Sequence, residues 1–174
     1  DQSAYLEQRD SVGHGYLVRP TIGFVQPMGI LELASYVRSK IDDISIQLID
    51  FGVELFLLSK HQDRPRMTVE YFSSSIIDRQ KDIPDVVGIS ILFSTSYNSS
   101  MMIAELAKKK WPHAVVVIGG VAATHSYKKI LTNQVVDYVI RGEAEIAFTQ
   151  LVQSINSDHN NIVDIDGVID QTKL

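Results

Sequence analysis

Two apolar runs dominate the pattern of hydrophobic and polar positions along the chain. Val86-Val-Gly-Ile-Ser-Ile-Leu92 and Val115-Val-Val-Ile-Gly-Gly120 are separated by a stretch in which apolar side chains recur at helical spacing. Unbroken β-branched runs of this kind are what strands buried on both faces require, and such strands belong to parallel sheets with helices on each side. Small residues follow or end both runs: Ser94-Thr-Ser96 after the first, Gly119-Gly120 closing the second. In open α/β sheets ligands bind outside the carboxyl ends of the strands, so the pattern points to a site there.

Upstream, Ile30, Leu31, Leu33, Ala34 and Val37 share a helical face, with Pro27 at the start where its missing N–H is harmless, predicting a helix from 28 to about 40. Residues 44–50 alternate as a strand, 53–59 and 68–80 suit helices around a polar turn at 61–65, and 85–92 is the first long apolar strand. A helix at 99–110 is expected to turn Met102, Ile103, Leu106 and Ala107 inward and to stop at Pro112. Then come a strand at 114–118, a short helix at 127–133, a strand at 135–140, a helix at 143–156 with Glu143 and Glu145 in its first turn, and a strand at 165–169. This alternation predicts a doubly wound α/β fold, a parallel sheet of about five strands with helices on both faces and right-handed crossovers. Residues 1–25 read as an irregular segment with strand candidates at 16–19 and 21–25 split by Pro20; residues 26–174 read as the α/β domain.

At 174 residues and 45% hydrophobic content the chain can bury one real core. Its net charge is −5, and its 16 basic residues are scattered except for Lys108-Lys-Lys110, which closes a helix where cations suit the macrodipole. That distribution argues against a nucleic-acid partner. No apolar stretch approaches the roughly 20 residues needed to cross a bilayer and no signal-peptide pattern opens the chain, so the expectation is a cytoplasmic protein with no membrane partner. The chain begins at Asp1 and stops at Leu174 just after a strand-like segment, as a piece of a longer protein would. Absence of cysteine removes disulfides, thiolate-held zinc, iron–sulfur clusters and thiol nucleophiles. The glycine-rich dinucleotide fingerprint, the Walker loop, the Gly-x-Ser-x-Gly elbow and the paired-histidine zinc motif are missing too. His14, His61, His113, His125 and His159 stand apart, each where a solitary imidazole is ordinarily solvated or capping, and only His125 falls on the expected ligand edge.

A series of landmarks remains: Gln26-Pro-Met-Gly-Ile-Leu-Glu-Leu-Ala-Ser-Tyr-Val37, Leu48-Ile-Asp50, Ser90-Ile-Leu92, Gly119-Gly-Val-Ala-Ala-Thr124 and Val136-Asp-Tyr-Val-Ile-Arg-Gly-Glu-Ala-Glu145. In this order they resemble the cobalamin-binding domain that precedes the catalytic barrel in B12-dependent radical SAM enzymes, a relative of the B12 domain of methionine synthase and the corrinoid mutases. The resemblance runs from about residue 24 to 168. It implies a flavodoxin-like fold that binds cobalamin base-off, the dimethylbenzimidazole tail leaving cobalt to thread into the sheet edge. In the methionine synthase type an Asp-x-His-x-x-Gly loop supplies an imidazole to cobalt. Here the corresponding residues are Phe24-Val-Gln-Pro-Met-Gly29, with Gln26 in the histidine's place, so the resemblance implies no protein histidine on the metal.

Under this resemblance Gln26, Pro27, Met28 and Gly29 approach the cofactor from the first loop. Ser90 and Ser94 offer hydroxyls to the tail, Leu92 and Phe93 give the corrin apolar contact, and Thr95 and Tyr97 open the next helix. Gly119 and Gly120 allow close backbone approach, followed by Val121, Ala123 and Thr124, while Gly142 and Glu143 flank the neighbouring strand end. Ordinary structural roles stand beside these: Ser90 bonded to backbone, Gly119-Gly120 as a tight turn, Glu143 and Glu145 as first-turn acids, Tyr97 as packing, Met28 and Met102 as core fillers. Without the Cys-x-x-x-Cys-x-x-Cys triad the chain alone is not expected to be catalytic. S-adenosylmethionine and a [4Fe–4S] cluster would belong to a radical SAM barrel downstream in cis or supplied in trans, the whole being a methyltransferase or a relative. The alternative is a cofactor-free interaction or scaffold domain, marked by a bulky side chain over Gly119 where cobalamin would need an open cleft.

Overall fold

The computed structural model describes residues 7–9, 15–17, 26–59, 67–157 and 165–173. In chain order its elements are β1 (Glu7–Arg9), β2 (Gly15–Leu17), α1 (Met28–Lys40), α2 (Phe51–Ser59), α3 (Val69–Asp78), β3 (Val86–Ser90), α4 (Tyr97–Lys110), β4 (Val115–Gly119), α5 (Val121–Ile130), β5 (Tyr138–Ile140), α6 (Glu145–Asn156) and β6 (Val168–Ile169). Short 3-10 turns lie at Ser94–Ser96 and Gln171–Lys173. The chain divides into two units, one of Asp1–Pro27 with Gln47–Lys81, the other of Met28–Ile46 with Asp82–Leu174.

The second unit carries a four-stranded sheet in the order β3-β4-β5-β6. β3, β4 and β5 run parallel, and β6 closes the edge antiparallel to β5. Along β4 the side chains alternate between faces, as the period of a strand dictates. Val116 and Ile118 pack with Ile91, Met101, Ala104, Ala123 and Ile130 beneath α4 and α5, while Val117 packs with Ile140, Ala147, Leu151 and Val168 beneath α6. α1 lies against α6. Because β4 has helices over both faces, Val116, Val117 and Ile118 are all buried, which is why the run is apolar without alternation. The fold is thus the expected doubly wound α/β type, with a mostly parallel sheet.

Several local expectations are corrected. Residues 44–50 form no strand: the Ile46 carbonyl accepts from Arg38 at 3.1 Å, and Asp50 turns inward to cap α2, its Oδ1 accepting from Gly52 N–H at 2.8 Å and Val53 N–H at 3.1 Å. An alternating pattern without a ladder partner does not make a strand. In α4 the fully buried side chains are Ser100, Met101, Ala104 and Ala107, while Met102, Ile103 and Leu106 are half-buried on the flanks. Small residues at the centre of the contact let the helix approach the sheet closely. α5 starts at Val121 rather than 127, for a reason that lies in Gly120 and is given below. Residues 135–137 precede β5 instead of belonging to it, and β6 is antiparallel, set off by Gly167 at φ +82°.

In the first unit β1 and β2 pair antiparallel, with Gln8 opposite Tyr16, which meets the expectation of a strand near 16–19. Thr68 caps α3, its Oγ1 accepting from Tyr71 N–H at 3.1 Å. Leu55, Phe72 and Ile76 join α2 to α3, and Glu54 pairs with Arg79 at 2.7 Å. The candidate strand at 21–25, Phe24, the turn at 61–65, and His14, His61 and His159 lie outside the described residues.

At the amino edge of the large sheet Asp137 ties β4 to α4. Its Oδ2 accepts from Val116 N–H at 2.7 Å and from Lys108 Nζ at 2.8 Å, and Lys108 also donates to the Ala114 carbonyl at 2.8 Å. One member of the lysine run therefore serves a tertiary contact as well as the helix end. Replacing Asp137 by Ala leaves Val116 N–H without its acceptor, and urea unfolding is expected to show a loss of about 1–3 kcal/mol. A change near zero would show that solvent replaces the carboxylate at no cost.

Candidate functional site

The carboxyl edge of β3 and β4 is built by backbone before any side chain matters. Ser90 and Gly119 are the last paired residues of the two strands, and Ile91 N–H extends the ladder to the Gly119 carbonyl at 2.8 Å. Gly120 then turns at φ +99°, and a Cβ there would lie 2.7 Å from the Ile91 carbonyl oxygen and 3.0 Å from its nitrogen. No other residue fits. From Gly120 the chain enters α5 at once, and Ala122 N–H donates back to the Ile91 carbonyl at 3.0 Å.

Gly119 differs from its neighbour. Among the described residues nothing lies within 4 Å of a Cβ built on it, so there the strand end opens onto space. By alternation Gly119 shares the α6 face with Val117, and Ser90 shares it with Gly88, whose Cβ would meet the Phe148 ring at 3.6 Å. Phe148 fills the face beneath Gly88; the Ser90 and Gly119 pair one step on is left uncovered. Ser90 is half-buried, and its hydroxyl has no partner among the described residues, so the backbone-bonded role is not the one found.

The other candidate residues are distributed around this opening or away from it. Leu92 and Phe93 follow Ser90 directly and are 50% and 47% exposed, and Val121 is 63% exposed at the start of α5. Ser94 and Thr95 are exposed in the 3-10 turn, which Ser96 N–H closes on the Phe93 carbonyl at 3.0 Å. Tyr97 is half-buried against the α4 and α5 core, with Lys129 Nζ 4.2 Å from its ring centroid. Ala123 is fully buried in that core and supports the turn from behind. Thr124 reaches from α5 to the turn after β5, accepting from Gly142 N–H at 3.0 Å. Gly142, at φ +77°, and Glu143 are exposed in that turn. Met28 and Gly29 are exposed at the start of α1 in the second unit, and Gln26 and Pro27 belong to the first.

Two features of this edge escaped sequence reasoning. Gly167 sits close under the turn, its would-be Cβ 3.1 Å from the Arg141 carbonyl oxygen and its own carbonyl accepting from Arg141 N–H at 2.9 Å. The Asp166-Gly167 dipeptide is the turn signal that marks it. The Arg141 guanidinium lies 4.5 Å from the Tyr127 ring centroid, a pairing across elements with no local signature. The groups with displaced ionisation sit at the other end of β5. Burial first, then the Asp170 and Asp137 charges, push the Tyr138 phenol up; a hydrogen bond from the Thr172 hydroxyl chiefly holds Asp170 down. The carboxyl edge offers hydroxyls, glycine backbone and apolar side chains, with Arg141 and Glu143 exposed in the turn after β5, a surface suited to holding a large ligand.

A family profile described as the B12 binding domain matches residues 17–152. Over 135 residues, 76% of the chain, the sequence is 36% identical to cytidylyl-2-hydroxyethylphosphonate methyltransferase of Streptomyces wedmorensis, covering 25% of that protein. It is 30% identical over 131 residues, 75% of the chain, to an uncharacterized methyltransferase of Pyrococcus horikoshii, again covering 25% of it. It is also 30% identical over 120 residues, 68% of the chain, to the cobalamin-dependent radical SAM methyltransferase TokK of Streptomyces tokunonensis, covering 16% of it. The chain thus spans a quarter or less of the length of these relatives.

The two adjacent glycines are expected to respond oppositely to a methyl group. Gly120→Ala forces a positive φ and a backbone clash and should lower unfolding stability by about 1–3 kcal/mol. Gly119→Ala enters open space and should stay within about 0.5 kcal/mol of the parent. Equal effects in urea melts would contradict the division of labour between them.

Proposed function

Because the chain belongs to the B12-binding domain family, we propose that it is the cobalamin-carrying module of a B12-dependent radical SAM enzyme. In this reading the opening beside Ser90 and Gly119 receives the nucleotide tail of the base-off cofactor. The observation that carries it is the space over Gly119, open among the described residues, next to a Ser90 hydroxyl that has no partner among them. Dimethylbenzimidazole is flat and largely apolar with a ring nitrogen that accepts a hydrogen bond, so a glycine-walled slot with one free hydroxyl is its chemical complement. A bulky side chain over Gly119 would favour the alternative of a cofactor-free scaffold, and none of the described residues comes within 4 Å of a Cβ built there.

The remaining residues take roles by their surroundings. Leu92, Phe93 and Val121 present exposed apolar surface for the corrin, and covering a large apolar side chain contributes about 1.5–3 kcal/mol. Ser94, Thr95, Tyr97 and Glu143, with Met28 and Gly29 at the start of α1, would meet the periphery of the ring; Gln26 and Pro27 are assigned to the cofactor by the resemblance alone. Gln26 stands where B12 domains of the methionine synthase type have a histidine, so in this reading cobalt takes no imidazole from that position. Bound cobalamin would supply a cobalt centre that can carry a methyl group; the protein's part would be to hold the tail away and orient the ring. With no cysteine in the chain, S-adenosylmethionine and the [4Fe–4S] cluster would be held by a radical SAM barrel. The methyltransferase relatives, of which this chain matches only a small part, favour a barrel in cis over one in trans.

Titration of the folded chain with hydroxocobalamin, followed by visible absorption, is expected to give saturable binding with a base-off spectrum. Gly119→Trp, which fills the opening without the clash that any side chain at Gly120 would meet, should weaken binding by about tenfold or more, equivalent to about 1.4 kcal/mol. Absence of binding by the folded parent, or equal binding by the variant, would contradict the reading.

A further inference from the structure

Thr124 lies one turn into α5, and its hydroxyl is engaged on both sides. It donates to the Gly120 carbonyl at 3.3 Å and accepts from Gly142 N–H at 3.0 Å, and the Thr124 N–H also reaches the Gly120 carbonyl at 3.0 Å. The bonds to Gly120 are the ordinary back-bonding of a threonine in a helix. The bond from Gly142 joins two turns that are distant in sequence. A hydroxyl has a single donor hydrogen, and here Gly120 has it, so Thr124 is poorly disposed to donate to anything else.

Gly142 adopts φ +77°, and among the described residues no atom lies within 4 Å of a Cβ built on it. The preceding N–H, that of Arg141, is held by the Gly167 carbonyl at 2.9 Å. Successive amides of the turn after β5 are therefore tied from two directions, one by Gly167 before β6 and one by Thr124. On either side of Gly120, Gly119 accepts from Ile91 N–H at 2.8 Å and Ala122 donates to the Ile91 carbonyl at 3.0 Å, and a Cβ at Gly120 would collide with Ile91. Through Thr124, the Gly142 turn is tied to the turn that these bonds hold.

We propose that Thr124 is a positioning residue. It sets the spacing between the Gly120 and Gly142 turns at the carboxyl ends of β4 and β5, so that the tail opening is formed before the cofactor arrives. The idea rests on the cobalamin reading only for what enters the opening; the bridge is a property of the chain alone. Holding the turns in place beforehand spares the ligand the entropy of ordering them.

The test compares the parent chain with Thr124→Val, which keeps the shape and removes the hydroxyl, and Thr124→Ser, which keeps the hydroxyl. Amide exchange at Gly142 is measured by NMR without cofactor, and hydroxocobalamin affinity by absorption. In Thr124→Val, Gly142 exchange should accelerate and Kd should rise, each by about three- to tenfold, the size of one ordinary hydrogen bond; Thr124→Ser should restore both. Unchanged exchange in the valine variant overturns the bridge. Accelerated exchange with parental affinity overturns the positioning role, and weakened affinity with unchanged exchange assigns the hydroxyl to direct ligand contact instead. A parent that binds no cobalamin removes the cobalamin reading, and the Gly142 exchange comparison then decides the bridge by itself.

Discussion

The carboxyl edge depends on one close approach, that of Gly120 to the backbone of Ile91. With a side chain at 120 the distances of 2.7 and 3.0 Å to Ile91 leave no room, and the positive φ adds strain. Because the approach is made, Ile91 can bond to Gly119, α5 can start immediately after β4, and Ala122 can return a hydrogen bond to Ile91. The exits of two parallel strands are thereby clasped without any side chain in the clasp. What would have been filled by side chains is left as the space over Gly119.

Much of this was legible in the chain. The unbroken Val115-to-Ile118 run predicts a strand covered on both faces, and Val116, Val117 and Ile118 are buried in that way. Gly119-Gly120 and Ser90 are the right residues to suspect at the strand ends, since glycine there needs a reason. Their separate duties were not legible, because which of two adjacent glycines meets a neighbouring backbone depends on a strand far away in sequence. The strand expected at 44–50 failed for a similar reason: alternation describes a segment, while a ladder requires a partner, and there Asp50 caps α2 instead. On α4 the inward face lies one position from the expected one: Ala107 is buried as expected, but Ser100, Met101 and Ala104 share that face with it, and Met102, Ile103 and Leu106 flank it half-buried.

The two ends of the sheet are built from different chemistry. At the amino edge an ion pair, Lys108 with Asp137, fastens α4 and β4 and satisfies Val116 N–H. At the carboxyl edge the fastenings are backbone bonds and one threonine hydroxyl, and the exposed groups are hydroxyls, glycines and the apolar side chains of Leu92, Phe93 and Val121, with Arg141 and Glu143 in the turn after β5. The ion pair that fastens the sheet thus lies at the end away from the opening over Gly119.

The most direct test of the account is the electron paramagnetic resonance spectrum of cob(II)alamin in the presence of excess protein. Free cob(II)alamin at neutral pH carries its own dimethylbenzimidazole nitrogen on cobalt, and that nitrogen splits the cobalt lines. If this chain draws the tail into the opening and offers no histidine in exchange, the nitrogen splitting disappears on binding. Retention of the splitting, from either the tail or a protein imidazole, would contradict the account.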